Sequence, residues 1–306
     1  MKWFALFLAS TLTAACGMPP KQPVEIGSVK WGRDLDQALA TSKMSNKPVF
    51  LLFQEVPGCA GCKQFGQEVL SDPLIVEAIE NEFTPLMIPN NQTGQDAAVL
   101  KRFKEPAWNY QVVRFLDSEA RDLIPRKDKV WSKGPLAQRM VGALEKAQRP
   151  VPAYLSLVAA EASPNLRTAA FSMFCFWTGE SKLGAIDGVV TTEAGWIGGK
   201  EVTLVKYDPA SITIQSLIKQ AQQLDCAHGI YLPAAERGRV DAGRLKMQPL
   251  DGYRVAKAGD QKKQIQGTPA ASLKLNGAQA TKVNAWIRRN PEKAKSFLSP
   301  AQLKRL

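Results

Sequence analysis

A continuous apolar run, Pro48-Val-Phe-Leu-Leu-Phe53, is followed six residues later by Cys59-Ala-Gly-Cys62. Together these two stretches constrain the chain more than anything else in it. A strand with one face in water alternates polar and apolar residues, so an unbroken apolar run reads as a strand buried on both faces. Pro57-Gly58 then turns the chain, and residues 63–70 continue at helical spacing. The two cysteines therefore stand where a helix leaves the rim of a buried sheet. A helix start presents unpaired N–H groups and the positive end of its dipole, which favours thiolate over thiol in a cysteine placed there. On this reading Cys59 is the exposed, attacking sulfur and Cys62 closes a disulfide one turn later. An inert disulfide and a zinc half-site are the competing readings. Zinc is disfavoured because the sequence has no second Cys-x-x-Cys.

The flanking segments read as layers of helix and strand. A helix over 31–44 ends at the Asn46 turn, a second over 73–83 is introduced by Ser71-Asp72, and a strand over 84–88 follows. Residues 111–116 form a strand ending at Asp117, with Leu123-Ile124 after a polar turn, and 134–147 form an amphipathic helix. Arg149-Pro-Val-Pro152 marks a boundary. Beyond it come a short helix, a strand over 169–173, a helix through Leu183, a strand over 189–196, the Gly198-Gly199 turn, a strand over 201–207 and a helix over 212–224. The fold class is α/β (α+β), in two units. The expected organisation is an export leader with lipobox at 1–16, a tether at 17–29, a first domain at 30–149, a second at 165–235, and a basic C-terminal extension at 236–306.

The leader has Lys2 before a short apolar run over 3–12, too short to span a bilayer as a stable helix. It ends in Leu12-Thr-Ala-Ala-Cys16, which resembles a bacterial lipobox, with Thr13 where that pattern prefers Leu. Ordinary cleavage after Ala15 fits the same residues. Either way the chain is expected in the cell envelope or periplasm. Lipidation of Cys16 would tether it to a membrane.

The formal net charge of +12 is concentrated at one end, since residues 232–306 hold sixteen Lys and Arg against five Asp and Glu. Without a dense basic block and interleaved aromatics, this segment reads as a solvated extension, and no nucleic acid is expected as a partner. His228 is the only histidine, which excludes zinc sites built on several histidines. No metal and no cofactor are expected.

Residues 31–88 resemble the thioredoxin-like family, in the branch that reads tryptophan, helix, Lys-Pro-Val-Phe-Leu and Cys-x-x-Cys. That family carries a cis-proline ahead of the strand facing its disulfide. Here the corresponding place, six residues before Asp117, holds Gln111, and the nearest proline is Pro106. Further along, Phe171-Ser-Met-Phe-Cys175-Phe-Trp-Thr-Gly-Glu180 resembles the Gly-Cys-Phe-Trp-Gly-x-Glu signature of type A peptide methionine sulfoxide reductases. Gly188-Val-Val-Thr-Thr192, Gly195-Trp-Ile-Gly-Gly199 and Tyr207-Asp-Pro209 follow in the order that family has them.

The resemblance implies that Cys175 attacks a sulfoxide sulfur and becomes a sulfenic acid. It implies that Phe176 and Trp177 hold the methyl group, with Trp196 and Tyr231 also at the substrate, and that Glu180 or Tyr231 supplies the proton. Cys226 is the resolving candidate, and the Cys59/Cys62 pair would pass electrons on to Cys175. Three departures stand beside these matches. Trp196 replaces the family's tyrosine, the loop with its acidic glutamate is missing, and Glu201 matches a later glutamate. The expected function is thus reduction of methionine sulfoxide in exported proteins. The alternative is a thiol–disulfide oxidoreductase, acting on disulfide partner proteins, whose second domain only binds.

Overall fold

The computed structural model describes residues 22–107, 111–238 and 240–306. The expected leader, Cys16 and the first part of the tether lie outside them. From Val24 onward the expected tether is not a free spacer. Val24–Ile26 form one 3-10 turn, and Ile26 and Val29 are buried in the first core.

The first unit contains α1 (Leu35–Ser45), β1 (Val49–Gln54), α2 (Ala60–Glu68), α3 (Pro73–Glu82), β2 (Thr84–Pro89), α4 (Gln95–Arg102), β3 (Val112–Leu116), α5 (Lys133–Lys146) and α6 (Ala153–Glu161). Its sheet has the order β2-β1-β3, with β2 parallel and β3 antiparallel to the central β1. Every residue of β1 is buried, as its apolar run requires. Successive side chains of a strand face opposite ways. Phe50 and Leu52 accordingly enter the core under α2, α3, α5 and α6, whereas Val49, Leu51 and Phe53 pack towards α1 and α4. Side chains set the helix starts: Asp34 accepts from the Gln37 amide, and Asp72 from those of Leu74 and Ile75. Asn46 ends α1 in the left-handed region.

Two expectations change here. Leu123-Ile124 form no strand, because pairing beyond the turn stops at a single bridge between Leu116 and Asp122. The core also continues past Arg149. Tyr154, Leu155, Val158 and Ala159 of α6 lie in the same cluster as α5.

The second unit contains β4 (Arg167–Ser172), α7 (Phe176–Gly184), β5 (Val189–Ile197), β6 (Lys200–Tyr207), α8 (Ile214–Gln223), β7 (Gly229–Leu232), α9 (Ala234–Arg237), β8 (Lys246–Pro249) and β9 (Arg254–Val255). The sheet order is β8-β7-β4-β6-β5-β9, antiparallel except for the β7/β8 pair. Gly198 and Gly199, both at positive φ, make the tight turn between β5 and β6. Gly179 lets α7 approach the sheet closely, for a Cβ there would lie 2.0 Å from the Met173 sulfur.

The basic segment is a folded part of this unit rather than a solvated extension. It supplies β8 and β9 to the two sheet edges and continues into α10 (Gly277–Trp286), α11 (Pro291–Lys295) and α12 (Pro300–Leu303). The expected helix near 278–290 is α10, whose residues from Ala278 to Ala285 are largely buried against α7 and β5. Lys282 reaches the end of α7 and donates to the carbonyls of Gly184 and Ile186 at 2.9 and 3.0 Å. Lysine at a helix C-terminus satisfies orphan carbonyls and complements the dipole. Glu161 of α6 accepts from the Gly277 and Ala278 amides, and Glu77 of α3 accepts from the Ala301 amide. Among the described residues, no helix is long and apolar enough to cross a membrane.

Candidate active site

Cys59 is the N-cap of α2, with extended backbone, and Cys62 lies one turn inside the helix. Cys59 is exposed and Cys62 is fully buried. Their sulfurs stand 3.4 Å apart, Cys59 Sγ donating to Cys62 Sγ. Burial first, and the adjoining Cys59 sulfur second, push the Cys62 thiol up to about 12. The Glu55 carboxylate, between β1 and the cysteines, is 3.9 Å from Cys62 Sγ. Gln54 holds the base of the site, its Nε2 donating to the carbonyls of Glu25 and Cys62. Glu25 in turn accepts from the Gly58 amide at 3.0 Å. An open cavity of about 640 Å³ lies beside Cys59, walled by Phe65, Gln111 and Trp131 among others. Glu55, Cys59 and Cys62 also present ligand atoms within 4.8 Å of one another, the one group among the described residues able to gather three metal ligands. Two thiolates and a carboxylate leave one position of a tetrahedral zinc site open.

The second cysteine region lies on the other sheet. Cys175 is the N-cap of α7 and half-buried, and the preceding Phe174 is 91% exposed. The Glu201 carboxylate accepts from the Phe176 amide at 2.7 Å. The first free amide of α7 is therefore taken by a side-chain anion and is not left for a thiolate. Phe176, Trp177 and Trp196 come together: the Phe176 ring is 5.3 Å from Trp196, edge to face, and 6.1 Å from Trp177. Ala256, just beyond β9, packs into this same cluster, and Lys263 lies 4.8 Å over the Trp177 ring.

Three residues expected to act with Cys175 are buried. Glu180 is fully buried, and both of its oxygens are held by Lys262, one by the amide at 2.7 Å and one by the ammonium. Burial raises its carboxyl against the opposing pull of that lysine. Held in this way, it has no free oxygen to offer a sulfoxide. Tyr231 is 2% exposed and belongs to a separate cluster with Ala170, Ile197 and Val202. Cys226 is fully buried in the core under α8, Sγ 3.5 Å from the Leu224 carbonyl, and burial pushes its thiol up. Strand register does bring Cys226 and Cys175 to one end of the sheet, since Ser172 of β4 pairs with Gly229 of β7.

The family model described as a thioredoxin-like domain matches residues 35–148. The chain carries a thioredoxin-like domain. A solved structure titled DsbH Oxidoreductase shares 18% identity, covering 43% of this chain and 96% of that one at a TM-score of 0.33. The C-terminal part is similar to curated peptide methionine sulfoxide reductases. The MsrA of Rhodospirillum centenum is 38% identical over 18% of this chain and 32% of the relative. The MsrA of Methanococcus maripaludis is 35% identical over 18% of this chain and 46% of the relative. The Drosophila melanogaster enzyme is 26% identical over 39% of this chain and 68% of its own length. The chain thus spans about a third to a half of the first two relatives.

In the thioredoxin-like domain, residues that the motif did not single out complete the site. Glu55 was signalled only by its place between a buried strand and the cysteines, and Trp131 carried no local signal. In the MsrA-like part, Lys262, Lys263 and Ala256 reach α7 from more than seventy residues away, and no motif marks them.

Proposed function

We propose that this chain is a thiol–disulfide oxidoreductase of the cell envelope, acting through Cys59 and Cys62, with the MsrA-like part as a partner-binding module. One observation carries the reading: an exposed Cys59 at a helix start, 3.4 Å from a buried Cys62, beside an open groove. Cys59 thiolate attacks a substrate disulfide, forming a mixed disulfide and releasing one substrate thiolate. Cys62 then gives up its proton, to which the Glu55 carboxylate is the nearest base, and attacks Cys59 sulfur. The second substrate thiol leaves and the Cys59–Cys62 disulfide forms. Two electrons have moved to the substrate, and a dithiol reductant restores the pair. The export leader, with Cys16 as lipid anchor, remains part of this proposal on its sequence pattern. Fatty-acid labelling that survives Cys16→Ser would remove the anchor.

A second reading, reduction of methionine sulfoxide at Cys175, is favoured by the half-buried N-cap position of that residue and by the MsrA similarity. There the thiol takes the sulfoxide oxygen as sulfenic acid and the thioether is released. A thiol from the Cys59/Cys62 pair then expels water. The groups around Cys175 favour the first reading, because Glu180 is tied to Lys262 and the aromatic cluster is packed by Ala256.

Steady-state assays separate the two. Reduction of a peptide disulfide should vanish in Cys59→Ser and persist in Cys175→Ser. Turnover of peptide methionine sulfoxide with dithiothreitol, lost in Cys175→Ser, would put the second reading first. Wild type inactive on peptide disulfides would end the first.

A further inference from the structure

We propose that the reduced chain binds one zinc ion through Cys59 Sγ, Cys62 Sγ and a Glu55 carboxylate oxygen, a state that excludes the Cys59–Cys62 disulfide. The site is independent of the disulfide-exchange reading above.

The ligands come from two elements. Glu55 directly follows β1, Cys59 caps α2 and Cys62 lies one turn inside it. The loop between Glu55 and Cys59 is pinned at four points. Asn91 accepts from the Val56 amide and donates to the Pro57 carbonyl, Gln92 donates to the Val56 carbonyl, and Glu25 accepts from the Gly58 amide. Gln54 Nε2 donates to the Cys62 carbonyl at 3.1 Å. None of these bonds uses a ligand atom, so the three groups are gathered by their surroundings and stay free to bind.

The spacing suits zinc. Zn–S bonds of about 2.3 Å and Zn–O bonds of about 2.1 Å set tetrahedral ligands about 3.8 Å apart for two sulfurs and about 3.6 Å apart for sulfur and oxygen. Here the sulfurs are 3.4 Å apart, Glu55 lies 3.9 Å from Cys62 Sγ, and all three ligand atoms lie within 4.8 Å of one another. A disulfide would instead need the sulfurs to close to about 2.0 Å.

Charge and ligand type point the same way. Two thiolates and a carboxylate repel one another, and Glu55 forms no salt bridge among the described residues, so a divalent cation offsets that repulsion. Soft thiolates disfavour magnesium and calcium, whereas zinc takes sulfur and carboxylate oxygen together. The sequence lacks a second Cys-x-x-Cys, and Glu55 supplies the third ligand in its place. Cys59 is exposed and lines the open cavity of about 640 Å³, which gives the ion a way in and room for water as fourth ligand. Each thiol releases its proton to solvent as it binds, and sulfurs so engaged are withheld from attack on a disulfide.

The test titrates zinc chloride against a chromophoric chelator in the full-length reduced chain carrying Cys16→Ser. One zinc should bind per chain. Adding Cys59→Ser should lower the affinity about a hundredfold, and Glu55→Gln at least about tenfold, while Cys175→Ser should change it less than about twofold. One equivalent of zinc should also slow iodoacetamide labelling of Cys59, and a chelator should restore the rate. Equal affinity in the parent and in Cys59→Ser, or an affinity unchanged by Glu55→Gln, would overturn the assignment. Labelling of Cys59 unaffected by bound zinc would overturn it as well. A chain that binds zinc as expected yet reduces no peptide disulfide would keep this site and lose the exchange reading.

Discussion

Glu180 and Lys262, eighty-two residues apart, bind each other twice: the carboxylate accepts from both the amide and the ammonium of the lysine. The lysine also donates to the Thr192 carbonyl at 2.6 Å. A residue matching an enzyme signature therefore serves to fasten the basic segment to α7 and β5. Removing one member of a buried pair strands the other charge, which costs about 3–5 kcal/mol, whereas replacing both with neutral groups costs far less. Lys262→Met should lose stability on that scale, and Lys262→Met with Glu180→Gln should recover most of it. Urea unfolding of the four proteins in a double-mutant cycle checks this. A single-variant loss below about 1 kcal/mol would show that the pair contributes little.

Glu201 anchors the start of the same helix. Its carboxylate accepts from the first amide of α7. Glu201→Ala leaves that amide without its acceptor and should cost about 1–2 kcal/mol, whereas Glu201→Gln, which keeps an acceptor oxygen, should cost less. Urea unfolding of both variants measures the difference, and equal losses in the two would mean that the hydrogen bond contributes little.

The two thiols of the thioredoxin-like domain should separate completely. Burial and the adjoining Cys59 sulfur hold the Cys62 thiol near 12, well above its usual value of 9.0. In the folded, reduced protein lacking Cys16, Cys175 and Cys226, thiolate absorbance followed up to about pH 10.5 should show no ionisation of Cys62. Alkylation at pH 8 should label Cys59 and reach Cys62 only after unfolding. Labelling of both at similar rates would contradict the buried placement.

Lys282 supplies a pH dependence of stability. Burial pulls its ammonium down from 10.5 to about 8, against the partial support of Asp187. Between those values the unfolded chain binds the proton and the folded chain does not, so stability rises with pH through that window. Measured against Lys282→Met, which has no titrating group, wild type should gain on the order of 3 kcal/mol between about pH 8 and 10.5. Below pH 8 the difference should be flat. Chemical denaturation at several pH values tests the slope and its sign.

Local signals were the ones that could be read from the sequence. The apolar run of β1, the Asn46 and Asp72 caps, the double-glycine hairpin and the cysteine spacing each act within a few residues, and each stands where its pattern placed it. α4 leaves no period in the sequence, because only Val99 and Leu100 of its eight residues are buried. The basic segment reads as solvated surface for a related reason. Its lysines act one at a time on distant partners: Lys262 on Glu180, Lys282 on the end of α7 and Lys263 on Trp177. Such contacts leave no repeat, and charge counted along the sequence looks like solvated surface. The aromatic trio around Phe176 was legible from its motif, whereas the inward turn of Glu180 depended on a residue in another part of the chain.

The seam at Arg149-Pro150 looks like a natural place to divide the molecule for study, yet the folded chain has no clean edge there. Cutting at this point would take α6 away from α5, whose Gln138 donates to the Ala159 carbonyl. Stopping short of Gly277 would keep all four described cysteines but strip Glu161, Glu77 and the α7 carbonyls of their partners. Either fragment would expose apolar surface that the intact protein covers. Aggregation of such a piece would therefore report on where it was cut, and would be poor grounds for judging the chemistry of its cysteines.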